Sequence, residues 1–263
     1  MQTTTRAPRR PSFNGRAVVA TLVVLPVLAA CSESSASEAK NAIAYAAPTR
    51  IGDGTVRTYV VRDSRGVPTS LGVELSESAL RNLPATPVSL HLPFPKEAGS
   101  QYTFNMFDWN PAGHAPNHVY TVPHFDFHFY VADEHDVMAI SGGSDPAVAE
   151  SRFVPKDYIS PGNEAVPGMG VHWVDGTSGE FNGKTFDQTF IWGFSRGQLL
   201  FLEPMITKAF LESTTSSFTT ELKQPASVQR AGLYPKRYSI RHDTVAKVYR
   251  ITLDELMPRV PLR

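Results

Sequence analysis

Short runs of alternating apolar and polar residues, separated by turns, fill the chain from about residue 50 onward. The runs are rich in β-branched and aromatic side chains, which favour strands over helices. They predict strands at residues 56–61, 87–92, 102–109, 124–131, 188–194, 198–202, 237–241 and 246–253. The segment 190–202 is typical of a hairpin that turns at Ser195-Arg196-Gly197.

Helices are expected to be few and short. One is predicted at 76–83 with Ser76 as the N-cap, and another at 204–212 with Pro204 in its first turn. The polar segment 213–220 is predicted to be a loop, and 21 prolines argue against long helices. The fold class expected is mainly β: a single antiparallel β-barrel or sandwich domain at residues 51–263, with a few short peripheral helices.

The first thirty residues have the pattern of an export signal. Four arginines and no acidic residue precede or flank an apolar run at 17–30. This run is shorter than the roughly 20 apolar residues that a membrane-spanning helix needs. A basic segment followed by a short apolar core predicts a signal peptide. The sequence Leu28-Ala29-Ala30-Cys31 resembles the lipobox of bacterial lipoproteins, which implies cleavage before Cys31 and acylation of that cysteine.

Cys31 is the only cysteine in the sequence, so no disulfide is expected within the mature chain. Residues 31–50 are rich in Ser, Ala and Glu and predict a flexible tether after the lipidated cysteine. We therefore expect an exported lipoprotein, anchored to a membrane of the cell envelope through its lipid. Lys+Arg and Asp+Glu are equal at 25 each, so the charge gives no sign of a nucleic-acid partner.

The segment 122–130 carries the most distinctive chemistry. Successive side chains of a strand point to opposite faces, so three phenylalanines would face the core. His124, Asp126, His128 and Tyr130 would share the other face. Two imidazoles, a carboxylate and a phenol on one face suggest a polar site.

Strand geometry limits which of these residues can bind one ion. His124 and His128 would lie about 13 Å apart, whereas residues two apart in sequence are separated by about 6.6 Å. A single ion would therefore take His124 with Asp126, or Asp126 with His128. His172 and Glu203 are the expected further ligands from other strands. Two His and a carboxylate suit one divalent transition metal such as Zn, Mn, Fe or Cu.

Simpler interpretations stay open for the same residues. The polar face of the strand could be a hydrogen-bonded ladder or a subunit contact. His172 could be a packed core residue, and Glu203 could complement the N-terminus of the predicted helix at Pro204. His114 and His118 are expected in a solvated loop, which alternatively supplies a lid or an extra ligand.

Several motifs occur together and in order: VPHFDFHFY at 122–130, MGVHWVD at 169–175, TFIWG at 189–193, LEPMITKAFL at 202–211 and YPKRYSIRHD at 234–243. This set resembles a family of exported bacterial proteins of unknown function that is linked to envelope-stress sigma-factor control. The resemblance covers roughly residues 52–256. It implies one β-rich domain with a role in the cell envelope, and it implies no reaction and no catalytic residue.

Three functions follow as hypotheses. The first is a lipid-anchored envelope protein that binds a divalent metal or a small polar ligand through the 124–130 strand. The second is a metal-dependent hydrolase or lyase, with a metal-bound water and Asp126 or Glu203 as the base. The third is a metal-free structural or stress-response module that forms oligomers. The sequence names neither a substrate nor an oligomeric state.

Overall fold

The protein is described by a computed structural model that covers residues 42–262. The predicted signal peptide, Cys31 and the first part of the predicted tether lie outside the described residues. Nothing in the structure therefore bears on processing or lipidation.

Strands make up most of the described chain. In chain order they are β1 (Ala42–Tyr45), β2 (Thr49–Ile51), β3 (Gly54–Arg62), β4 (Pro68–Ser76), β5 (Val88–Pro93), β6 (Phe104–Asn110), β7 (His124–Tyr130), β8 (Gly143–Ser144), β9 (Tyr158–Ile159), β10 (Glu164–Val166), β11 (Gly170–Asp175), β12 (Gln188–Ser195), β13 (Gln198–Thr207), β14 (Ser217–Glu221), β15 (Gly232–Asp243) and β16 (Val248–Arg259). The two α-helices described are α1 (Glu134–Met138) and α2 (Lys208–Ser213). Short 3-10 turns lie at Glu77–Leu80, Lys96–Ala98, Ser151–Phe153 and Gly179–Phe181.

The strands form two antiparallel sheets, one of them a curled half-barrel, so the predicted mainly β fold class is confirmed. A seven-stranded sheet has the order β1-β3-β4-β16-β15-β14, with β2 also paired to β3. A nine-stranded sheet has the order β5-β6-β7-β13-β12-β11-β10-β8, with β9 paired to β11. The nine-stranded sheet contains every residue that was predicted as a metal ligand.

The main hydrophobic core contains side chains from both sheets. Val73 and Ile251 belong to the seven-stranded sheet, and Phe125, Phe127 and Phe129 of β7 belong to the nine-stranded sheet. All five are fully buried. The phenylalanine face of β7 therefore packs into the core, as the alternation predicts.

A second, smaller apolar cluster lies on the opposite face of the nine-stranded sheet. Tyr130, Phe201 and Met205 of the sheet contribute to it together with Tyr120 and Phe186 from the loops. These loops cover the polar face of β7 and remove it from water. The candidate site lies in this layer.

The predicted helix at 204–212 is wrong in its first half. Strand β13 continues through Thr207, and α2 begins only at Lys208. Thr207 is the N-cap, and its hydroxyl accepts a hydrogen bond from the Phe210 amide at 3.1 Å. Pro204 lies inside the strand opposite Phe190, so Glu203 does not complement a helix N-terminus.

Three other predicted segments differ in detail. Strand β1 lies inside the predicted tether and pairs with β3, so regular structure begins well before residue 51. The predicted loop at 213–220 contains most of β14. The predicted helix at 76–83 is a single 3-10 turn, and Ser76 belongs to β4 and makes no side-chain cap.

The predicted hairpin at 190–202 is confirmed. Ser195 pairs with Gln198, which leaves Arg196 and Gly197 as a two-residue turn. Both turn residues have positive φ, at 50° and 71°, which matches the twist of the flanking strands. Within residues 42–262 no helix combines the length and apolar character needed to cross a bilayer.

Candidate metal centre

Six histidine and carboxylate side chains that could bind a metal lie together on the covered face of the nine-stranded sheet. Strand β7 supplies His124, Asp126 and His128, while β11 supplies His172 and β13 supplies Glu203. The loop between β6 and β7 adds His114. The structure arranges these residues as two groups of three rather than as one site.

The first group, here called the strand site, consists of His128, His172 and Glu203. His128 Nε2 lies 3.2 Å from Glu203 Oε1, and His172 Nε2 lies 3.6 Å from Glu203 Oε2. One ligand atom from each residue lies within 4.8 Å of the others. His128 and Glu203 are buried, and the His172 side chain is 24% exposed. All three ligands stand on strands of one sheet.

The second group, here called the loop site, consists of His114, His124 and Asp126. His124 Nε2 lies 3.2 Å from Asp126 Oδ1, and His114 Nε2 lies 3.3 Å from Asp126 Oδ2. Asn110 holds the carboxylate from β6, donating from Nδ2 to Asp126 Oδ2 at 2.8 Å. His124 and Asp126 are buried, whereas the His114 side chain is 40% exposed.

This partition differs from the single site that the sequence suggested. Asp126 joins His124 rather than meeting His172 and Glu203, which lie with His128 instead. His124 and His128 fall in different groups, as their spacing along an extended strand requires. His114 was expected in a solvated loop, with a role as an extra ligand as the alternative. The sequence feature that pointed to that role is the position of this histidine in a loop that leads directly into β7.

Four of the candidate ligand atoms are buried and have no hydrogen-bond partner among residues 42–262. They are His124 Nε2, Asp126 Oδ1, His128 Nε2 and Glu203 Oε2. Nearly all buried polar atoms in folded proteins have a partner, so such atoms need an explanation. Two of these atoms belong to each site, and in the loop site His124 Nε2 and Asp126 Oδ1 lie 3.2 Å apart. A cation bound in each site would satisfy the two atoms there.

In three of the four histidines the other ring nitrogen makes a hydrogen bond to a backbone carbonyl. Nδ1–H of His124 donates to the Val122 carbonyl at 2.7 Å, and that of His114 donates to the Ala115 carbonyl at 2.7 Å. Nδ1–H of His128 donates to the Met106 carbonyl at 3.3 Å. These contacts fix the tautomer that leaves Nε2 as the lone-pair atom. The same arrangement orients the histidines of metal centres.

Burial and mutual charge shift the acid–base behaviour of the strand site. Burial raises the pKa of Glu203 to about 8, although the His128 charge opposes this. Burial alone would lower the pKa of His128, but Glu203 and Asp108 raise it to about 9. Burial and the His128 charge lower the pKa of His172 to about 3. The three side chains therefore form one buried, electrostatically interacting group.

The loop site behaves as a tight ion pair. Burial alone would raise the pKa of Asp126, but its contacts with His114 and His124 hold that pKa well below its usual range. Burial would likewise lower the pKa of His114, and the hydrogen bond with Asp126 raises it to about 9. The carboxylate is therefore ionised and compensated by an imidazolium.

Aromatic rings pack around both groups. The Phe201 ring meets the His128 and His172 rings edge-on, at centroid distances of 4.9 and 5.2 Å. The Phe186 ring meets His124 in the same way at 5.5 Å. These contacts exclude water and restrict the rotamers of the imidazoles. Both effects favour a preorganised binding site over a flexible surface cluster.

Comparison with known proteins gives a partial likeness to one family and no activity. No curated protein and no solved structure matches the chain. The family match covers β4 to β6 with their connections and contains none of the six candidate ligands. The motifs on which the sequence resemblance rests begin at residue 122 and lie outside the matched range. Over residues 63–109 the chain is similar to the TTHB210-like family, which is described as hypothetical protein TTHB210.

Proposed function

We propose that this protein binds a divalent transition-metal ion at the strand site. The observation that carries the proposal is the pair of buried, unpartnered atoms, His128 Nε2 and Glu203 Oε2, in one three-residue group. A buried carboxylate beside two imidazoles is costly unless something compensates it. A bound cation would supply that compensation.

The geometry of the strand site suits such an ion. Metal–ligand bonds of about 2.1 Å in a tetrahedral site place neighbouring ligand atoms about 3.4 Å apart. His128 Nε2 lies 3.2 Å from Glu203 Oε1 and His172 Nε2 lies 3.6 Å from Glu203 Oε2, so each imidazole approaches a different oxygen of the carboxylate at a distance of that size. Two His and one carboxylate suit Zn, Mn, Fe or Cu rather than Mg or Ca. Because the ligands stand on β7, β11 and β13, the site needs little rearrangement to bind.

Metal content and metal-dependent stability test the proposal. The full-length chain, purified without a metal-affinity step, is analysed by elemental mass spectrometry. It is then stripped and melted with and without Zn²⁺, Mn²⁺, Fe²⁺ or Cu²⁺. A ligand present at 100 times its Kd stabilises the folded state by about 2.7 kcal/mol, which raises the Tm by several degrees. We expect that rise, and we expect Glu203→Gln and His172→Ala each to remove one equivalent of metal.

His135→Ala is the matched control, because the His135 side chain is 94% exposed and belongs to neither site. Glu203→Gln preserves the volume of a buried side chain, so its folding is checked by the same melt. A chain that holds no metal and gains no stability from any of the four ions would overturn the proposal. That outcome would favour the metal-free oligomeric module.

We also propose that the mature chain is a lipoprotein anchored to a membrane of the cell envelope at Cys31. The basic segment, the apolar run and the sequence Leu28-Ala29-Ala30-Cys31 support this. Two or more acyl chains would give stable anchoring. Cells that express the full chain should incorporate labelled palmitate into it, and Cys31→Ser should abolish the label. Equal labelling of both forms would contradict the anchor.

A metal-dependent hydrolase is the second candidate, and the ligand count favours it. Three protein ligands leave a fourth coordination position for water, as in catalytic zinc sites. As a proposed ligand of the ion at the strand site, Glu203 is not available as the base, which leaves Asp126 of the two bases that the sequence suggested. Metal-loaded protein should then hydrolyse activated esters or phosphoesters, and His172→Ala should abolish the activity. A loaded protein that is inactive toward such a panel would leave binding as the function.

A further inference from the structure

The loop site has its own unpartnered atoms and its own ligand set. His124 Nε2 and Asp126 Oδ1 are buried without a hydrogen-bond partner, 3.2 Å apart. His114 Nε2 approaches the other carboxylate oxygen at 3.3 Å. These separations again match those that one metal ion imposes on its ligands. The residues are distinct from His128, His172 and Glu203, so the two sites can be filled separately.

The three ligands of the loop site are not equally fixed. His124 and Asp126 are buried on one strand, and both are held from behind, by the Val122 carbonyl and by Asn110. His114 comes instead from the loop that joins β6 to β7, and its side chain is 40% exposed. One ligand can therefore leave while the other two stay in place. In the strand site, by contrast, every ligand belongs to a strand.

The loop between β6 and β7 has a buried anchor and an exposed tip. Tyr120 is buried in the second apolar cluster and packs against Phe186 at 4.9 Å between ring centroids. Its carbonyl accepts a hydrogen bond from the His114 amide at 3.1 Å. Residues 114–118 are exposed. Among the described residues of this tip, the His114 side chain is the one that contacts Asp126, so a metal ion there would fasten the tip to the sheet.

The two sites lie close enough to influence each other. Asp126 and His128 are two residues apart on β7, about 6.6 Å along the strand. Two divalent ions bound in such neighbouring sites repel each other, so the second ion binds more weakly than the first. The site with a detachable ligand is the one expected to fill second.

We propose that the loop site binds a second divalent transition-metal ion, and that His114 is its detachable ligand. The ion then holds the 111–123 loop in its closed position over the covered face of the nine-stranded sheet. Imidazole and carboxylate ligands select the same class of metal as in the strand site. This proposal shares only the class of ligand with the proposed function, and each can fail without the other.

Titration of the metal-free, full-length chain with Co²⁺ tests the stoichiometry, because bound Co²⁺ is counted by its visible absorption. We expect two equivalents, bound in two steps. His114→Ala should retain the first equivalent and weaken the second by ~100-fold or more, beyond the effect of losing an outer-shell contact. Glu203→Gln should remove the tighter equivalent and retain the weaker one. The two variants thus separate failure of the strand site from failure of the loop site.

His118→Asn is the matched control on the same loop. His118 belongs to neither site and has a φ of 68°, which Asn tolerates. It should bind two equivalents like the unchanged protein. Hydrogen exchange of residues 111–123 gives a second measurement, and the second equivalent should slow it in the control but not in His114→Ala. If the protein binds one equivalent of Co²⁺ and His114→Ala binds it equally well, the loop site does not exist. If the protein binds two equivalents but the hydrogen exchange of residues 111–123 does not change, the ion does not hold the loop closed.

Discussion

Asp108 lies behind the His128 ring and is a candidate outer-shell partner of the strand site. It lies on β6, and its Oδ2 atom is 3.2 Å from His128 Nδ1. The carboxylate is buried and has no other partner at that oxygen. A negative charge behind the ring makes Nε2 more basic and keeps its lone pair toward the metal position. Outer-shell partners of this kind typically contribute 10–100-fold to metal affinity.

Asp108→Asn is therefore expected to weaken metal binding at the strand site by about 10–100-fold without removing a ligand. The measurement is the Zn²⁺ dissociation constant, obtained by competition with a chelator of known affinity. Asp136→Asn, an exposed carboxylate outside both sites, should leave the constant unchanged. An unchanged constant in Asp108→Asn would show that the Met106 carbonyl alone orients the ring.

The sequence predicts which side chains of β7 form a polar site, but it does not predict how the candidate ligands divide into the strand site and the loop site. The alternation along β7 separates the phenylalanines from His124, Asp126 and His128 from the sequence alone. Which residues meet depends on how β13 and β11 are placed against β7. Glu203 reaches His128 only because Phe201 pairs with Tyr130 in the register of β7 and β13. No local pattern encodes that register.

At the scale of elements, Pro204 explains both a failed prediction and a feature of the site. A proline lacks the amide that a central strand donates to its neighbour. The pairing of β13 with β7 accordingly runs through Leu202 and Phe129 and resumes only at Met205 and Asp126. Pairing with β12 on the other side continues through Pro204. The gap lies beside Glu203, where the strand site is formed.

Sequence reasoning placed Pro204 in the first turn of a helix because proline is common there. The apolar residues that follow it fit a helical face and also fit a strand that is buried on both sides. The segment forms a strand because both faces of β13 are buried. The two apolar clusters on either side of the nine-stranded sheet bury them. Such enclosure is a property of the assembled layers, so a short window of sequence does not reveal it.

Gly193 sets the spacing between β12 and the Phe201 ring. A Cβ atom at this position would lie 2.1 Å from a carbon of that ring. Gly193 pairs with His172 on one side and with Phe201 on the other. The ring in turn packs on the imidazoles of His128 and His172. A side chain here would push Phe201 into the strand site.

Gly193→Ala is expected to lower the free energy of unfolding by about 1–3 kcal/mol, the usual effect of overpacking a core. It should also weaken metal binding at the strand site, because the displaced ring moves both imidazoles. Gly176→Ala is the control, since its Cβ would meet nothing closer than 3.4 Å. Denaturant unfolding and a metal titration measure the two effects. Equal stability of the two variants would mean that Phe201 moves aside freely.

At the scale of the whole molecule, the two sheets are joined by apolar packing and by a few polar contacts at the edges. The fold class followed from strand-like runs and prolines, but the strand order did not. The site depends on two strand pairings. The pairing of β6 with β7 joins neighbouring strands of the chain, whereas the pairing of β7 with β13 joins strands that are far apart in sequence. A hairpin such as β12–β13 is encoded locally by its turn, whereas long-range pairs depend on the packing of the complete core.

Lys223 links the two sheets across one such edge. It follows β14 of the seven-stranded sheet, and its Nζ atom lies 2.8 Å from Asp175 at the end of β11 in the nine-stranded sheet. It also contacts Asp157 at 3.1 Å and donates to Thr177 at 2.8 Å. Burial alone would raise the pKa of Asp175, but the hydrogen bond from Lys223 lowers it below its ordinary value of 3.8. The ion pair therefore stabilises the folded state when Asp175 is ionised.

Lys223→Gln is expected to lower the free energy of unfolding by about 1 kcal/mol or less at neutral pH, because the lysine is 35% exposed and solvent screens the pair. Since the folded pKa of Asp175 is depressed, its contribution is complete above pH 3.8 and is lost as the pH falls through the lower folded value. The two proteins should thus differ in denaturant midpoint at pH 7 and converge in strong acid. A chelator is present in all samples, so that release of a bound metal does not contribute to the measured difference in stability. Lys236→Gln, which changes another exposed lysine, should match the unchanged protein at both pH values. If the denaturant midpoint of Lys223→Gln stays equally far below that of the unchanged protein in acid, the lysine stabilises the edge by packing rather than by its charge.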